Sequence, residues 1–549
     1  MVIDFTIIFI TFSLIAYFYF VFFKRNPNRP SSVNLPPGPP KLPIIGNVHQ
    51  IAGALPHHAF RTLSKKYGPI MHMQLGQIST VIVSSPRLAK DVFKTHDLAL
   101  ASRPTSLLSD IVLYGGADVA LGQYGDYWRQ LKKIITVELL SAKKVRSFSR
   151  FRHQEMGSFM DFIRSKSGRP VAIREKVTEM INNIICKSSF GDKCRQQDVL
   201  IELVDELGML VSGFYVADLF PEFGFLSVIS GMKSKLTQIH KSLDRIFDEI
   251  FEERKRKRST KGEAEAEDDL LDVLFTIKES GGLQFPITEN NIKAVFVNMF
   301  TGGTDTSVMT IEWAMTEMMK SPNVMQKAQK EVRETFKGKK TIVEADLQDL
   351  VYLKLVIKET LRLHPSLPLL LPRECIEHCQ IDGYDIPVKT KVIVNAFACA
   401  VDPEYWDDPE SFKPERFEKS SVDFMGTNFE FVPFGSGRRM CPGITFGVTS
   451  IEFALAQMLY YFNWQLPSGL SSKDIDMTEN DGAVATKKVP LTIKEARFIR
   501  QKLKTAEVNF RRRLKNVQSH IRHKLCITRQ RFWISKELKS SKSPVSEPL

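Results

Sequence analysis

One cysteine stands where it could bind a metal. The stretch FGSGRRMCPG (434–443) places Cys441 between two bends and directly before an apolar, helical run. Gly435 and Gly437 permit a tight turn, and Pro442 suits the first turn of a helix. A thiolate at a helix N-terminus meets unpaired backbone N–H groups and the positive end of the helix dipole, which lowers its pKa. The stretch therefore predicts a thiolate ligand for a soft or borderline metal.

A second set of residues interrupts a long helical pattern at positions 291–320. Two adjacent glycines, Gly302 and Gly303, cost a helix about 2 kcal/mol relative to alanine, so packing or function must offset that cost. Close packing of the helix on a neighbour is one explanation. The other is that the missing side chains let a flat cofactor and dioxygen approach the backbone. In that case the Thr306 hydroxyl and the Asp305 carboxylate stand beside the gap.

A third pair of residues, Glu359 and Arg362, lies one helical turn apart in the stretch LKLVIKETLRLHP. Such pairs usually lie on the surface and contribute a few tenths of a kcal/mol. Here the surrounding helix is strongly apolar, which indicates that the pair is buried. A buried ion pair needs further hydrogen-bonding partners, so we expect a third residue at this place.

The elements that hold these residues belong to one large domain, which we place at 48–491. No linker rich in Gly, Ser or Pro divides the middle of the 549 residues, and 43% of the chain is hydrophobic. Residues 140–280 read as a series of amphipathic helices, and the alternation at 70–83, with Gly76 near the bend, predicts a β-hairpin. The seven cysteines lack the dense spacing of a disulfide scaffold, which indicates a reducing compartment.

The N-terminal residues 2–23 are apolar with a single charge and are followed by Lys24 and Arg25. At about 1.5 Å per residue they are long enough to cross a bilayer core of about 30 Å. The positive-inside rule then places the rest of the chain in the cytosol. A cleaved signal peptide is the alternative, but the positive charge before the apolar run and the small residues after it are missing. Residues 24–47 form a basic, proline-rich hinge, which we expect to be stiff and extended.

The C-terminal tail, 492–549, carries 16 Lys and Arg against 4 Asp and Glu, so most of the net charge of +14 lies there. Basic tails can bind nucleic acid or anionic lipid. An altered terminus is the simpler explanation, and we expect no nucleic-acid partner. Residues 476–491 read as the start of a last hairpin, whose completion depends on the residues after Leu491.

The first stretch fits the pattern F-x-x-G-x-R-x-C-x-G at Phe434, Gly437, Arg439, Cys441 and Gly443. Together with GGTDTS and KETLRLHP, this pattern resembles that of the cytochrome P-450 family of haem-thiolate monooxygenases. The resemblance covers about residues 1–491. It implies a mainly α fold with a small β-rich lobe, preceded by one N-terminal transmembrane helix, and haem b (iron protoporphyrin IX) bound between the GGTDTS helix and the Cys441 loop.

The same resemblance implies the roles of individual residues. Cys441 would be the axial iron ligand, Phe434 a shield over its sulfur, and Arg439 a partner of a haem propionate. A thiolate ligand favours O–O cleavage at the iron. Thr306 would hydrogen-bond the bound oxygen and, with Asp305, help to deliver protons.

Two further propionate partners are implied at Trp128 and Arg373. The family's W-x-x-x-R site begins at Trp128, but Lys132 stands where Arg is usual, and lysine lacks the two-pronged guanidinium. An ordinary basic helix face shared with Arg129 and Lys133 is an equally good explanation of Lys132.

The family also supplies the missing partner of the buried ion pair. Arg416, in FKPERF, would complete a structural triad with Glu359 and Arg362 beneath the haem. Residues 366–372 (SLPLLLP) would line the pocket above the iron.

Further stretches of the sequence, such as LPPGPPKLPIIGN and IPVKTKVIVN, are similar to those of plant A-type members that oxygenate terpenes. This resemblance implies hydroxylation of a small apolar substrate, a sesquiterpene or other terpenoid. Electrons would come from NADPH through a flavoprotein reductase that docks on the basic side near Arg129, Lys132 and Lys133. The location would be the endoplasmic reticulum membrane, with a single span and the catalytic domain facing the cytosol.

Three alternatives stay open at this point. The substrate could be an alkaloid or a phenolic compound. The reaction could be that of a haem-thiolate isomerase or dehydratase, which needs no activation of dioxygen, although Thr306 and Asp305 count against it. The altered C-terminus could also leave an inactive membrane protein.

Overall fold

The computed structural model describes residues 33–210, 215–261, 269–339 and 341–495. Most of them are helical, and the strands form small sheets, which agrees with the predicted mainly α fold with a β-rich lobe. The helices are α1 (Pro56–Tyr67), α2 (Pro86–Lys90), α3 (Leu107–Ile111), α4 (Asp126–Ile134), α5 (Ala142–Ser147), α6 (Ser149–Ser165), α7 (Ile173–Phe190), α8 (Gln197–Leu210), α9 (Val216–Leu219), α10 (Phe225–Ile229), α11 (Met232–Lys261), α12 (Leu270–Ser280), α13 (Glu289–Lys320), α14 (Pro322–Thr335), α15 (Tyr352–Leu363), α16 (Ala396–Ala400) and α17 (Ile444–Tyr461).

The strands are β1 (Ile70–Leu75), β2 (Ile78–Val83), β3 (Pro170–Ala172), β4 (Arg373–Glu374), β5 (Cys379–Ile381), β6 (Tyr384–Ile386), β7 (Lys391–Val394), β8 (Trp464–Gln465) and β9 (Thr492–Glu495). The largest sheet has the order β1-β2-β7-β4, with β2 parallel to β7 and the other neighbours antiparallel. The predicted hairpin at 70–83 is confirmed: Leu75 pairs with Ile78, and Gly76 in the turn has a φ of +57°.

Helix α13 runs through the middle of the helical core. Its N-terminus is closed by a capping box in which the Thr288 side chain accepts from the Asn291 N–H and the Asn291 side chain accepts from Thr288 in return. The helix packs against α7, α15 and α17. Large side chains such as Phe296 and Trp313 are fully buried on different faces, because a helix surrounded by others is apolar on every side.

The predicted hinge is more tightly bound than expected. Gly38 lies so close to β1 that a Cβ there would come within 1.9 Å of the carbonyl oxygen of His72. The His72 N–H donates to the carbonyl of Pro37, and the Asn47 N–H donates to that of Gln74. Residues 34–47 are therefore part of the folded domain, and the boundary predicted at residue 48 lies too far along the chain.

The domain also extends past its predicted end at residue 491. Strand β9 begins at Thr492 and pairs with both β3 and β8. Before it, Lys488 donates its N–H to the carbonyl of Thr478 and Asn480 donates to that of Thr486, which closes a hairpin. The last hairpin is thus complete, and the domain reaches at least Glu495.

The predicted membrane span at 2–23 and the tail beyond residue 495 lie outside the described residues. In the part of the chain that the structure describes, no helix combines the length and the apolar character needed to cross a membrane.

Candidate active site

A cavity of about 270 Å³ lies between helix α13 and the loop that contains Cys441. Gly302, Gly303 and Thr306 line it from α13, and Cys441 and Gly443 line it from the loop. Four residues of the predicted pocket segment 366–372 also line it: Ser366, Leu367, Leu370 and Leu371. Apolar side chains form most of the remaining wall, among them Val119, Ala120, Val295, Met299, Phe434 and Phe446.

The Cys441 loop has the predicted tight turn. Gly435 and Gly437 adopt φ values of +68° and +69°, in the left-handed region that favours glycine. A Cβ on Gly437 would also come within 2.6 Å of the Phe93 carbonyl oxygen. The Cys441 N–H donates to the Phe434 carbonyl at 3.0 Å, which closes the loop. The backbone thus fixes the position of the thiol.

The helix after the loop begins slightly later than predicted. Gly443 is the N-cap of α17, so Pro442 precedes the helix instead of occupying its first turn. The Gly443 N–H still points at the sulfur, with N to Sγ at 3.4 Å. Sulfur therefore accepts a backbone hydrogen bond at a helix start, as the sequence indicated.

The prediction of a lowered thiol pKa is wrong for the protein by itself. Burial raises the pKa of Cys441, and the Gly443 N–H and the charge of Lys132 act in the opposite direction without overcoming it. The accessible surface of the sulfur faces the cavity, since protein atoms enclose the thiol elsewhere. A metal that binds the sulfur removes its proton whatever the free pKa is.

The two glycines of α13 have different surroundings. A Cβ added to Gly302 would meet nothing within 4 Å, because this position opens onto the cavity. A Cβ on Gly303 would lie 3.0 Å from Cδ1 of Ile185 in α7, which is tighter than ordinary contact. Gly303 therefore serves close helix packing, as the first explanation requires, and Gly302 leaves open space beside the helix, where the second explanation would place a cofactor.

Thr306 lines the cavity one turn after Gly302. Its hydroxyl donates to the carbonyl of Gly302 at 2.7 Å. Its own carbonyl accepts from the Thr310 hydroxyl at 2.7 Å and from Ser366 at 3.2 Å. Ser366 was not singled out by the sequence pattern, and it ties α13 to the segment after α15.

Asp305 does not join Thr306 at the cavity wall. It is absent from the described residues that line the cavity, and its carboxyl lies against α8, where a Cβ on Gly208 would be 2.3 Å from Oδ2. Burial, and then the charge of Asp205, raises the pKa of Asp305 to about 7. The carboxyl is therefore protonated in part at neutral pH. It lies on the side of α13 that faces α8, away from the cavity wall.

Four cations converge on one side of the cavity: Arg103, Lys132, Arg373 and Arg439. The Lys132 ammonium donates to the carbonyl of Met440. The arginines also donate to backbone carbonyls, namely those of Ala120, Leu371 and Pro372 for Arg103, Leu100 and Ser436 for Arg373, and Ala101, Val119 and Gly122 for Arg439. Among the described residues, the carboxylate that bonds to this group is that of Asp97, at 2.8 Å from Arg373.

The positive charge of this group is poorly compensated. Burial, and then repulsion from Arg373, lowers the pKa of Arg439 to about 9. Burial lowers the pKa of Lys132 to about 8, with Cys441 opposing and Arg439 and Arg103 adding to the shift. The pKa of Arg103 is lowered well below its usual value for the same reasons. Buried cations in this state gain from an anionic ligand.

Trp128 lies inside this group. Its indole N–H donates to the carbonyl of Val119 at 3.0 Å, and the guanidinium carbon of Arg439 is 4.0 Å from the centre of its ring. The indole therefore supports Arg439 through a cation–π contact. Its N–H is bonded within the protein.

The predicted triad is assembled on the far side of α15. Glu359 and Arg362 are fully buried, and Glu359 accepts from Arg362 Nε at 2.7 Å and from Arg362 Nη2 at 2.9 Å. The same carboxylate accepts from Arg416 Nε at 2.9 Å and from the Lys413 N–H at 2.8 Å. Both arginines lie against the ring of Trp406. The ion pair thus has the further partners that burial requires.

Sequence reasoning missed two charged residues of the site. Arg103 is the single Lys or Arg between Lys94 and Arg129, so a lone cation in an apolar, Gly-punctuated stretch was an available signal. Asp97 accepts from Arg373 and also from the Arg438 N–H at 3.1 Å, which holds the Cys441 loop. Nothing in its local sequence marks Asp97.

One expected surface residue, Lys132, is only partly exposed. The amine of Lys132 points at the Met440 carbonyl beside the cavity, so it is not available to a docking protein. Its neighbours Arg129 and Lys133 are exposed on α4. The predicted basic face therefore lacks its central member.

The residues present fit an iron porphyrin. A thiol suits iron, the open space at Gly302 leaves room for a flat ring, and poorly compensated cations suit two propionate carboxylates. Cys441 would hold the iron, and Arg103, Lys132, Arg373 and Arg439 would hold the propionates.

Comparison with known proteins supports this conclusion. The sequence model of the family described as Cytochrome P450 matches residues 36–494. Cytochrome P450 Tp9025 from Tanacetum parthenium is 64% identical over 486 residues, covering 88% of this chain and 98% of the relative. Costunolide synthase from Cichorium intybus is 50% identical (87% and 95% covered), and premnaspirodiene oxygenase from Hyoscyamus muticus is 50% identical (88% and 97% covered).

A zebrafish cytochrome P450 structure with progesterone superimposes with a TM-score of 0.69. The superposition covers 80% of this chain and 99% of the zebrafish chain at 23% sequence identity, so it bears on the fold alone. The chain belongs to the cytochrome P450 family: it is a haem-thiolate monooxygenase that receives electrons from a redox-partner reductase and acts on a small hydrophobic substrate.

Proposed function

We propose that this enzyme hydroxylates a terpenoid, with a sesquiterpene as the best-supported substrate, using NADPH and dioxygen. The observation that carries the proposal is the apolar wall of the cavity above Gly302, together with relatives named for costunolide and premnaspirodiene, which are sesquiterpenes. A substrate of this class offers almost only C–H bonds and apolar surface to its binding site.

The amide oxygen of Asn298, in the α13 wall of the cavity, is already bonded. Asn298 Oδ1 accepts from the N–H groups of Val119 and Ala120, at 3.1 and 3.2 Å. Among the described residues that line the cavity, no carboxylate is present to bind a cationic alkaloid. An apolar substrate is therefore held by shape and burial, which stabilise it by about 25 cal/mol for each Å² removed from water.

The haem, when bound, supplies the activation of dioxygen, which thiolate ligation favours. The protein positions the substrate, excludes water from the cavity and supplies protons. In the balanced reaction one oxygen atom enters a C–H bond, and the other leaves as water, with two electrons and one proton from NADPH and a second proton from solvent. We assign Thr306 to hold and pass the proton at the cavity wall and Asp305 to supply it from behind the helix.

The catalytic domain, 34–495, would be attached to the endoplasmic reticulum membrane by residues 2–23 and face the cytosol. The charge of Lys24 and Arg25 after the apolar run supports this orientation. The tail beyond Glu495 follows a completed sheet, so we assign it no part in the site. Fractionation of cells that express the full chain, with protease protection of each terminus, tests the location and orientation.

The decisive experiment is turnover of a sesquiterpene panel by microsomes that contain the enzyme and its reductase. We expect hydroxylated products that require NADPH and take one atom from ¹⁸O₂. Full-length protein and a version that ends after Glu495 are compared. Product formation without NADPH would indicate an isomerase or dehydratase. A reduced, carbon-monoxide-bound spectrum without the thiolate Soret band would indicate an inactive protein. Turnover of phenolic or alkaloid compounds alone would overturn the substrate class.

A further inference from the structure

The side chain of Asp305 is held by a helix outside the cavity. Its carboxyl packs on α8, and Oδ2 occupies the place that a Cβ at position 208 would take, 2.3 Å away. Only glycine lets the carboxyl lie there, because real Cβ atoms do not approach an oxygen this closely. Gly208 is in the last turns of α8, where its φ is ordinary, so the turn itself does not require glycine.

The charged surroundings of this carboxyl are simple. Asp205, on the same helix as Gly208, is the titratable group whose charge acts on Asp305. From α7, the side chains that face this turn are neutral: Asn182 bonds to the Thr304 hydroxyl at 2.9 Å, and Ile185 packs on Gly303. No cation among the described residues pairs with Asp305. Asp205, one turn before Gly208 on α8, thus places a negative charge close enough to act on the Asp305 carboxyl.

We propose that Gly208 and Asp205 are positioning residues for Asp305, so that helix α8 sets the direction from which a proton is delivered to the cavity. This inference rests on the acid role given to Asp305 in the proposed function. It adds that the acid is oriented from the α8 side, away from the cavity wall that Thr306 occupies. The proton that Asp305 gives up is replaced from solvent past Asp205, so the carboxyl returns to its acid form in each cycle.

The consequence of a misplaced acid can be written as a balance. When Asp305 delivers protons in time, dioxygen and the substrate C–H bond react with two electrons and two protons to give one product hydroxyl and one water. When Asp305 does not deliver them, dioxygen takes up the two electrons together with two protons from solvent and leaves as hydrogen peroxide. NADPH is then consumed without product, so the ratio of product to NADPH measures the positioning of the acid.

The matched test uses two glycines in helices. In Gly208→Ala the new methyl group must displace the Asp305 carboxyl, and we expect the product-to-NADPH ratio to fall by about tenfold or more, with peroxide rising to match. Gly157→Ala, in α6, adds a methyl group with nothing within 4 Å and should leave the ratio unchanged. Equal ratios in both variants, with folded protein in each, would overturn the proposal.

A second measurement does not depend on turnover. The infrared C=O band of a protonated buried carboxyl, identified by its loss in Asp305→Asn, should titrate near pH 7 in the holoenzyme. In Asp205→Asn the neighbouring negative charge is gone, so the pKa of Asp305 falls and the band disappears at lower pH. In Gly208→Ala the band should shift because the carboxyl has moved. A band unaltered by both α8 substitutions would refute the positioning role.

The two proposals fail in different ways. If Asp305→Asn keeps the normal product-to-NADPH ratio, the acid role fails and the α8 inference fails with it. If Asp305→Asn loses coupling while Gly208→Ala and Asp205→Asn behave as the normal enzyme, the acid role stands and α8 does not position it. Both proposals are supported if the product-to-NADPH ratio falls above about pH 7 and falls at a lower pH in Asp205→Asn.

Discussion

The molecule contains two groups of buried arginines, one at the cavity and one in the triad on α15, and they differ in how their charge is balanced. In the triad, Arg362 and Arg416 share the Glu359 carboxylate, and every contact is 3.3 Å or shorter. In the cavity group, Arg103 and Arg439 are held mainly by carbonyl oxygens. Carbonyl dipoles orient a guanidinium, but they do not neutralise it.

The effect of this difference is visible in the pKa values. Burial and mutual repulsion lower the pKa of Arg103 and Arg439, because the cavity group carries more positive charge than Asp97 and the other described residues offset. The triad contains its own anion in the same small volume. A compensated cluster stabilises the fold whether or not a ligand binds. A poorly compensated cluster marks the place where an anionic ligand completes the structure.

An Arg→Gln substitution should lower the stability of the fold when it is made in the triad and weaken haem retention when it is made in the cavity group. The triad substitution should have the larger effect in free energy. Arg362→Gln leaves Glu359 buried with one partner fewer, and it frees the carbonyls of Ala400 and Pro409. We expect the free energy of unfolding to fall by about 3–5 kcal/mol, with or without haem. Urea unfolding followed by circular dichroism measures it.

The control for this prediction is Arg61→Gln. Arg61 pairs with the exposed Glu410 at 3.0 Å, and a pair of this kind contributes less than about 1 kcal/mol. Similar losses of stability in the two variants would mean that burial of the triad has no special weight.

In the cavity group, Arg103→Gln should weaken haem retention and leave the fold intact. Glutamine keeps N–H donors for the carbonyls of Leu371 and Pro372 but removes the charge. A charge-assisted hydrogen bond contributes about 1.5–3 kcal/mol, so haem should dissociate about ten times faster or more. The haem-free protein should be as stable as the parent or slightly more stable.

Transfer of haem to an excess of a haem-scavenging protein gives the dissociation rate, and urea unfolding of the haem-free form gives the stability. If Arg103→Gln loses as much stability as Arg362→Gln and yet retains haem normally, Arg103 stabilises the fold and does not bind a propionate.

The sequence is sufficient to predict the structural roles of residues when those roles depend on a local pattern. Glycines around Cys441 indicate the turn, the following apolar run indicates the helix, and an ion pair in an apolar helix indicates burial of Glu359 and Arg362. Each of these inferences needs only a few neighbouring residues, and the fold obeys the same rule at the 70–83 hairpin.

The features that the sequence does not predict depend on partners far along the chain. The orientation of Asp305 depends on Gly208, the pKa of Cys441 depends on how deeply the loop is buried, and the role of Asp97 depends on Arg373. The end of the domain is of the same kind, because β9 is recognisable only through its pairing with the distant β3 and with β8. Local spacing carries no information about such contacts.

A smaller effect is expected at Lys132, which tests how much of the cavity group depends on charge alone. Its ammonium bonds to the Met440 carbonyl, so Lys132→Arg keeps the charge and adds donors. We expect haem retention within about fivefold of the parent, which corresponds to about 1 kcal/mol. Lys132→Gln removes the charge and should release haem faster than either. Identical rates in all three would mean that the charge at this position does not matter to the propionates.

The smallest effect should come from Lys133, the next residue of α4, which is exposed to solvent. Lys133→Glu reverses a surface charge, so at low salt the concentration of reductase for half-maximal activity should rise about two- to fivefold, and the difference should disappear at high salt. Haem retention should not change. Lys473→Glu, in the Ser472–Asp474 turn, makes the same charge reversal elsewhere and should leave the reductase requirement as it was. An equal change at Lys473 would show that net charge, and not the α4 face, governs docking. If only Lys133→Glu changes the reductase requirement, two adjacent lysines of one helix have different roles because of what each one faces. Lys132 would face a haem propionate, and Lys133 faces the solvent through which a partner approaches.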